Sequence, residues 1–154
     1  MKALIVYYSR DGHTKEIAEK IAKNIECDIE EIRDNQSHQG KRGYVKGALE
    51  SIIGKGSSII LPEKDPMNYD ITIIGSPVWA SSPASPVITY AERNRNNFRK
   101  IACFATCKGS GAEKTCDKIS KVAEKQSIAN LCLTDEDLKN PNAKIKDFIE
   151  TINL

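Results

Sequence analysis

The chain has 154 residues, of which 40% are hydrophobic and 29% charged, and these values predict one globular domain over residues 1–154 rather than a disordered chain. Its 23 Lys and Arg residues against 21 Asp and Glu residues leave a net charge of +2. No Lys- or Arg-rich run adds a local basic patch, so we expect no nucleic-acid binding. The apolar run over residues 3–8 is too short for a signal-peptide core or a transmembrane helix. We therefore expect a cytoplasmic protein without membrane insertion.

The cysteines form an odd set without a Cys-x-x-Cys pair: Cys27, Cys103, Cys107, Cys116 and Cys132. Since the sequence shows no export signal, we expect reduced thiols that pack mostly as small apolar side chains. The spacing of Cys103, Cys107 and Cys116 matches no common zinc pattern, and suitable His partners are absent. The sequence therefore predicts no metal site.

The first third of the sequence predicts two β-α units. Residues 3–8 form a continuous β-forming run, as in a strand buried on both faces of a parallel sheet. Residues 9–14 are turn-forming, and an apolar stripe at helical spacing follows them. Residues 28–33 alternate isoleucine with acidic residues and predict a weaker strand near a sheet edge. After a polar loop over residues 34–43, helical spacing recurs over residues 43–54.

The remaining sequence predicts three further β-α units. Strands are predicted over residues 71–75, 101–106 and 128–133. Helices are predicted over residues 87–98, after residue 111, and in the last segment, which carries Ile145, Phe148, Ile149 and Ile152. Alternating units of this kind predict an α/β fold, with a doubly wound parallel sheet of five strands and helices on both faces.

Three loops with unusual residues follow strand carboxyl ends, where open parallel sheets bind ligands: residues 9–14, 76–83 and 106–111. In the first loop, Ser9, Thr14 and the amides around Gly12 are donors at the start of a helix, an arrangement that binds anions and most often phosphate. The other interpretation is that these polar side chains only cap the helix. The residue types alone favour neither interpretation.

The three loops together resemble those of one family. Ser9-Arg10-Asp11-Gly12-His13-Thr14, between a strand and a helix, resembles the FMN phosphate loop of flavodoxins. Residues 69–79 resemble the third strand and flavin-ring loop of that family, and residues 104–111 resemble its second flavin loop. The motifs occur in order over essentially the whole chain. The resemblance implies strand order 2-1-3-4-5 and bound FMN, and it favours the phosphate interpretation of the first loop.

The resemblance also implies where the cofactor contacts the chain. The phosphate would lie on residues 9–14, and the ring between residues 77–82 and 106–111. The implied cofactor-binding residues are Ser9, Arg10, Asp11, Gly12, His13, Thr14, Pro77, Val78, Trp79, Ala80, Thr106, Cys107, Lys108, Gly109, Ser110 and Gly111. Because a flavin carries its own redox chemistry, no catalytic side chain is assigned.

Four of these residues have a second interpretation. Trp79 either contacts the ring or packs against a neighbouring helix or subunit. Cys107 is either redox-active beside the flavin or an ordinary buried thiol. His13 either reaches the phosphate or lies on the helix surface, and Arg10 either offsets part of the phosphate charge or is solvated.

Two departures from the flavodoxin pattern bear on function. Asp11 stands where flavodoxins usually have a second hydroxyl, and an ionised carboxylate cannot donate a hydrogen bond to phosphate. A loop of this type also resembles that of flavodoxin-like protoporphyrinogen oxidases. Residues 77–82 lack the glycine whose peptide often reorients in flavodoxins when the flavin takes up one electron, and positive φ is costly for other residues. The second departure favours two-electron hydride chemistry.

The leading hypothesis is a short-chain flavodoxin-like FMN protein that transfers electrons between cytoplasmic partners, either a redox protein or a small-molecule acceptor. The main alternative is an FMN-dependent NAD(P)H or quinone oxidoreductase of the same fold, and Asp11 leaves open a flavin-free binding domain. Flavodoxins tend to be acidic and to meet basic partners, but a net charge of +2 gives this chain no such long-range field. The oligomeric state stays open.

Overall fold

The structure is a computed structural model that describes residues 1–34, 59–60 and 62–152. The strands are β1 Ala3–Tyr7, β2 Cys27–Glu31, β3 Arg33–Asp34, β4 Ile59–Ile60, β5 Ile71–Trp79, β6 Ser82–Pro83, β7 Ile101–Thr106 and β8 Ser127–Leu133. The described helices are α1 His13–Ala22, α2 Ser85–Asn94, α3 Ala112–Val122, α4 Asp135–Lys139 and α5 Asn142–Ile152. The predicted helix over residues 43–54, and all but the first residue of the predicted loop over 34–43, lie outside the described residues.

The main sheet follows the order β2-β1-β5-β7-β8, and every pairing along this path is parallel. The strand β6 pairs antiparallel with the end of β5, which makes the sheet six-stranded, and β3 pairs with β4 in a separate two-stranded sheet. The predicted parallel α/β sheet is confirmed. The expectation of five strands in the order 2-1-3-4-5 is corrected, because it counts only the parallel strands and omits β6, which is too short to give a periodic pattern.

Alternate residues of the central strands face two separate cores. Leu4 and Val6 of β1 point into the core that α2 and α3 cover, whereas Ala3 and Ile5 point into the core that α1 and α5 cover. Helices therefore cover both faces of the sheet. This double burial explains why β1 and β7 are apolar along nearly their whole length.

The strands β5 and β7 pack closely at Gly75. Gly75 lies opposite Phe104 in the sheet register, and a Cβ on Gly75 would lie 2.0 Å from the Phe104 ring. The Phe104 ring therefore occupies the space that a side chain at position 75 would need. This close packing lies just before residues 76–79, the end of β5 at the carboxyl edge of the sheet.

Several elements differ from their predicted form: the helix predicted over residues 87–98 spans Ser85–Asn94, and the strand predicted over residues 28–33 spans Cys27–Glu31. The strand β5 runs four residues past the predicted end at Gly75, because the antiparallel return of β6 pairs Val78 with Pro83 and Trp79 with Ser82. The short helix α4 has no counterpart in the predicted element order.

The predicted edge position of the second strand is confirmed, since β2 is the last strand at one edge of the main sheet. Among the described residues, no helix is both long and apolar enough to cross a membrane.

Candidate functional site

The loops that follow β1, β5 and β7 meet in one cleft of about 330 Å³ at the carboxyl edge of the sheet. The predicted site residues that line this cleft are Arg10, Asp11, His13, Pro77, Val78, Trp79, Ala80, Thr106, Cys107, Lys108, Gly109 and Ser110. The remaining predicted residues, Ser9, Gly12, Thr14 and Gly111, belong to the same loops but do not line the cleft itself. The fold thus brings together three segments that are far apart in the sequence, in a volume suited to a small organic ligand.

The first loop ends at Gly12, which precedes the first residue of α1 with φ +98°. A Cβ at Gly12 would meet no atom within 4 Å, so the space beside the helix start is open. The Ser9 hydroxyl accepts hydrogen bonds from the amides of Gly12 at 3.1 Å and Lys15 at 3.3 Å. A hydroxyl that accepts from two amides still has its own hydrogen to donate. The loop therefore has the cap that one interpretation predicts and, beside Gly12, the open space that the other requires.

Asp11 forms local contacts with His13. Its Oδ1 accepts a hydrogen bond from the His13 amide at 3.3 Å, and its Oδ2 lies 3.8 Å from His13 Nδ1. Both side chains are about half exposed, at 55% for Asp11 and 54% for His13. The Asp11 carboxylate therefore caps a helix amide, a role that does not require it to contact an anion in the loop.

A hydrogen bond joins the first loop to the third. The Thr14 and Thr106 hydroxyl oxygens lie 2.9 Å apart, and both residues are buried. One of these hydroxyls donates to the other, so the hydrogen of only one of them is used in the contact. This contact links the start of α1 to the end of β7.

The second loop is a tight β-hairpin. Ala80 and Ser81 form its turn with φ +50° and +58°, values that favour glycine, although neither residue is a glycine. The buried Ser76 hydroxyl holds the base of the hairpin, because it accepts from the Ala84 amide at 2.9 Å and donates to the Pro77 carbonyl at 2.8 Å. The absence of glycine from residues 77–82 therefore does not prevent positive φ in this loop.

Trp79 lies in the core beneath the cleft and also forms part of the cleft wall. It is only 1% exposed, and it meets the Tyr8 ring edge to face with 5.6 Å between ring centroids and 89° between ring planes. The Arg10 guanidinium carbon lies 5.6 Å from the centroid of the Trp79 ring, in a cation–π contact. Packing thus accounts for most of the Trp79 surface, and contact with a flavin ring stays a prediction.

The third loop packs against the hairpin at Gly111. Gly111 precedes α3 with φ +97°, and a Cβ there would lie 2.9 Å from Val78 Cγ1 and 3.2 Å from Ser81 Cα. At Gly109, in contrast, a Cβ would meet no atom within 4 Å. One glycine therefore allows close contact between the two loops, and the other faces open space.

Cys107 lies at the boundary between the cleft and the core. Its amide donates to the Leu133 carbonyl at 2.9 Å, and the residue is 8% exposed. Burial raises the pKa of the Cys107 thiol above its ordinary value. The thiolate is therefore disfavoured, and this supports the interpretation of Cys107 as a buried thiol.

Three further residues line the cleft: Ser81, which lies within the predicted ring loop over residues 77–82, and Asp135 and Leu138, which the sequence prediction missed. Asp135 and Leu138 belong to α4, whose first turn is held by a capping box. In this capping box Thr134 Oγ1 accepts a hydrogen bond from the Asp137 amide at 3.3 Å, and Asp137 Oδ2 accepts one from the Thr134 amide at 2.9 Å. The Thr-x-x-Asp spacing is a recognisable signal for a helix start, and it would have located α4. In the part of the chain that the structure describes, no group of three or more His, Cys, Asp and Glu side chains could hold a metal ion.

A parallel α/β sheet with three loops that converge at its carboxyl edge, two of them at helix N-termini, is typical of the doubly wound proteins that bind nucleotides and flavins. Within that class, residues 2–152 match the family model described as Flavodoxin, and the chain belongs to this family.

Solved structures show the same relationship. The chain is 30% identical to a flavoprotein from Lactobacillus acidophilus solved in complex with FMN, with a TM-score of 0.75 over 90% of this chain and 96% of that one. The apo-form of the Lactobacillus acidophilus flavoprotein matches with a TM-score of 0.67 over 90% of this chain and 95% of that one, also at 30% identity. An oxidised flavodoxin from Bacillus cereus shares the fold, with a TM-score of 0.58 and 18% identity over 99% and 98% of the two chains. No curated protein matches the chain. Family membership and the FMN complex support FMN as the cofactor.

Proposed function

We propose that this chain binds FMN in the cleft and transfers electrons between redox partners in the cytoplasm. The observation that carries the proposal is the convergence of three loops, which have complementary chemistry, on one cleft of about 330 Å³. The first loop is a polar turn at a helix N-terminus, and the other two are a hairpin and a glycine-containing loop that pack against each other at Gly111. These are the surfaces that a phosphate and a flat ring respectively require.

The residues present fit such a cofactor. Ser9 and the amides at the start of α1 would hold the phosphate, since Gly12 leaves open space beside them. Val78 and Trp79 would pack against the ring, and the open space beside Gly109 would leave room for it. When bound, FMN supplies one- or two-electron redox chemistry, and the protein determines orientation, access and potential.

A second candidate function is an FMN-dependent NAD(P)H or quinone oxidoreductase, and the hairpin turn favours it. Ala80 and Ser81 already stand at positive φ. If the peptide between Ala80 and Ser81 reoriented, Ala80 would have to adopt backbone dihedral angles that are accessible to glycine but unfavourable for alanine. A turn that resists this change gives little preference to the one-electron-reduced flavin, which a one-electron carrier needs.

Two measurements separate these functions. In a stepwise anaerobic reduction of the FMN-loaded protein, an electron carrier accumulates one-electron-reduced flavin in its visible spectrum. An enzyme passes directly to the two-electron state and oxidises NADPH rapidly when a quinone is present. If the turn is the cause, A80G raises the one-electron fraction, while S120A, at a serine remote from the cleft, leaves it unchanged. A purified protein that does not quench FMN fluorescence on titration would exclude both functions and leave a flavin-free binding domain.

A further inference from the structure

The two edges of the main sheet differ in how they are protected. At one edge, three of the five residues of β2 are acidic, and the Glu30 carboxylate accepts hydrogen bonds from the amides of Glu63 at 2.6 Å and Lys64 at 3.3 Å. At the other edge, the seven residues of β8 include no charged residue and no proline. Natural proteins place charges and prolines on edge strands to prevent pairing with another chain. The strand β8 therefore lacks the protection that β2 has.

The outer edge of β8 presents backbone groups to which a further strand could bind. In parallel pairing, alternate residues of a strand direct both their amide and their carbonyl toward the neighbouring strand. The Cys107 amide donates to the Leu133 carbonyl at 2.9 Å, so Leu133 faces β7, and the register of β8 with β7 is regular over residues 130–133. The amides and carbonyls of Asn130 and Cys132 therefore point away from β7, and no strand among the described residues pairs with them.

A groove runs along this edge of the sheet, and we call it the β8 groove. Its central cavity has a volume of about 570 Å³, and residues 129–132 of β8 form one side of it. The rest of the cavity is lined by α3 and α5, through Glu113, Asp117, Lys144, Asp147, Phe148 and Thr151. The groove therefore leaves space for an extended segment beside the outward-facing amides and carbonyls of β8.

The β8 groove continues in both directions from its central cavity. Toward the amino end of β8, a cavity of about 480 Å³ shares Asp117 and Asn130 with the central one. Toward the carboxyl end, a cavity of about 440 Å³ shares Cys132 with the central one, and it shares Ser81 and Gly109 with the candidate flavin cleft. A segment bound along β8 would therefore end beside that cleft.

Carboxylates without a cationic partner line the central cavity. Glu113, Asp117 and Asp147 are exposed, and none of them forms an ion pair within the part of the chain that the structure describes. The lysine of this cavity, Lys144, pairs with Asp137, with 2.9 Å between Nζ and Oδ1. The unbalanced charge of the central cavity is therefore negative, and it is complementary to a segment that carries Lys or Arg side chains.

The same carboxylates disfavour a second copy of this chain as the occupant of the groove. A two-fold pairing of two β8 strands would bring the carboxylates of both copies to one interface, because such an interface uses the same surface of each copy. Like charges at a shared interface reduce affinity, whereas a basic segment meets these carboxylates with the opposite charge. The observations therefore favour a segment of a different protein.

We propose that the β8 groove binds an extended, Lys- or Arg-bearing segment of a partner protein, which adds to the sheet as a further strand. The backbone of the segment exchanges hydrogen bonds with Asn130 and Cys132. Successive side chains of a strand point to opposite faces of a sheet, so neighbouring basic residues reach Asp117 on α3 and Asp147 on α5. This docking does not require FMN, so its test is separate from that of the proposed cofactor.

The test titrates the full chain with three fluorescently labelled octapeptides and follows their anisotropy. The first peptide has four central lysines flanked by valine and threonine, the second has four glutamates in their place, and the third has four N-methyl-lysines. The third peptide keeps the charge of the first but lacks the central backbone donors. We expect the lysine peptide to bind at least about tenfold more tightly than either of the others, and its affinity to fall as salt is added.

Variants of the groove test the charge complementarity. D117N/D147N should weaken binding of the lysine peptide by about threefold to tenfold, because two exposed ion pairs are lost. E92Q, which removes an exposed carboxylate of α2 outside the β8 groove, should leave the affinity unchanged. Amide hydrogen exchange of the wild-type chain locates the peptide without any substitution. The lysine peptide should slow exchange at Asn130 and Cys132 and leave the amides of β2 unchanged.

Several results would overturn the proposal. They are the absence of lysine-peptide binding up to about 1 mM, equal affinity for the three peptides, unchanged affinity in D117N/D147N, or protection at residues other than those of β8. A dimer in sedimentation that protects Asn130 and Cys132 without peptide would show that a second copy occupies the groove instead. If the chain binds the lysine peptide but not FMN, the proposed function fails and the docking proposal stands.

Discussion

Gly111 and Gly12 form a matched pair that isolates the contact between the hairpin and the third loop. Both precede a helix in the left-handed region, with φ +97° at Gly111 and +98° at Gly12. A Cβ at Gly12 would meet nothing within 4 Å, whereas one at Gly111 would lie 2.9 Å from Val78 Cγ1 and 3.2 Å from Ser81 Cα. Alanine at either position has the same backbone strain, and only alanine at position 111 adds overlap with the hairpin.

The expected magnitudes follow from these two terms. Left-handed φ costs alanine about 1–2 kcal/mol, and the smaller entropy of the unfolded alanine chain offsets about 0.4–1 kcal/mol of this. G12A should therefore lower the free energy of unfolding by about 1 kcal/mol. G111A should lower it by about 1–3 kcal/mol more, because Ser81 Cα belongs to the backbone and cannot rotate away.

Urea denaturation of both FMN-free variants, followed by circular dichroism, measures the difference. Equal destabilisation by G12A and G111A would refute the inference that Gly111 is required for close packing of the two loops. A change in the slope of the transition for either variant would point to an altered unfolded state rather than to a local overlap.

Three further predictions concern the sheet and the hairpin. A80G should raise the free energy of unfolding by about 0.5–1 kcal/mol, because glycine relieves the strain at φ +50°, and unchanged or lower stability in the same urea assay would contradict this. G75A should lower the free energy of unfolding by about 1–3 kcal/mol, because the alanine side chain would overlap the Phe104 ring. The double variant G75A/F104L should recover part of this loss, and destabilisation equal to the sum of the two single substitutions would argue against the contact. The pKa of Tyr69 is raised from its ordinary value of 10.0 to about 12 by burial and by the 2.6 Å hydrogen bond that its hydroxyl donates to Asp28. The stabilisation that the protonated Tyr69 hydroxyl gives the folded state is therefore complete below pH 10, and it is lost as the pH rises toward 12. Thermal unfolding of Y69F should therefore depend less steeply on pH in that range than unfolding of the wild type, and identical slopes would show that Tyr69 does not contribute.

The parallel sheet was predictable because its signals are local. Residues buried on both faces are apolar without alternation, as in β1 and β7, and polar turns mark the ends of each strand. The loops of the cleft were also predictable, since the carboxyl ends of neighbouring parallel strands must meet at one edge of the sheet.

Other features depend on tertiary contacts that no local pattern reports. The hairpin turn uses Ala80 and Ser81 at positive φ, although neither residue type favours it, and pairing between β5 and β6 stabilises it instead. The helix α4 was missed although its capping box was readable, because it is only five residues long.

The affinities for FMN and riboflavin test the central claim most directly, since the two ligands share the ring and ribityl chain and differ only by the phosphate. Fluorescence titration should show FMN binding at least about tenfold tighter than riboflavin, which corresponds to about 1.4 kcal/mol or more for the phosphate contacts. S9A should reduce this ratio, whereas S120A, which removes another serine hydroxyl that accepts a backbone amide, should leave it unchanged. Equal affinity for the two ligands, or a ratio that S9A does not change, would contradict a phosphate site at residues 9–14.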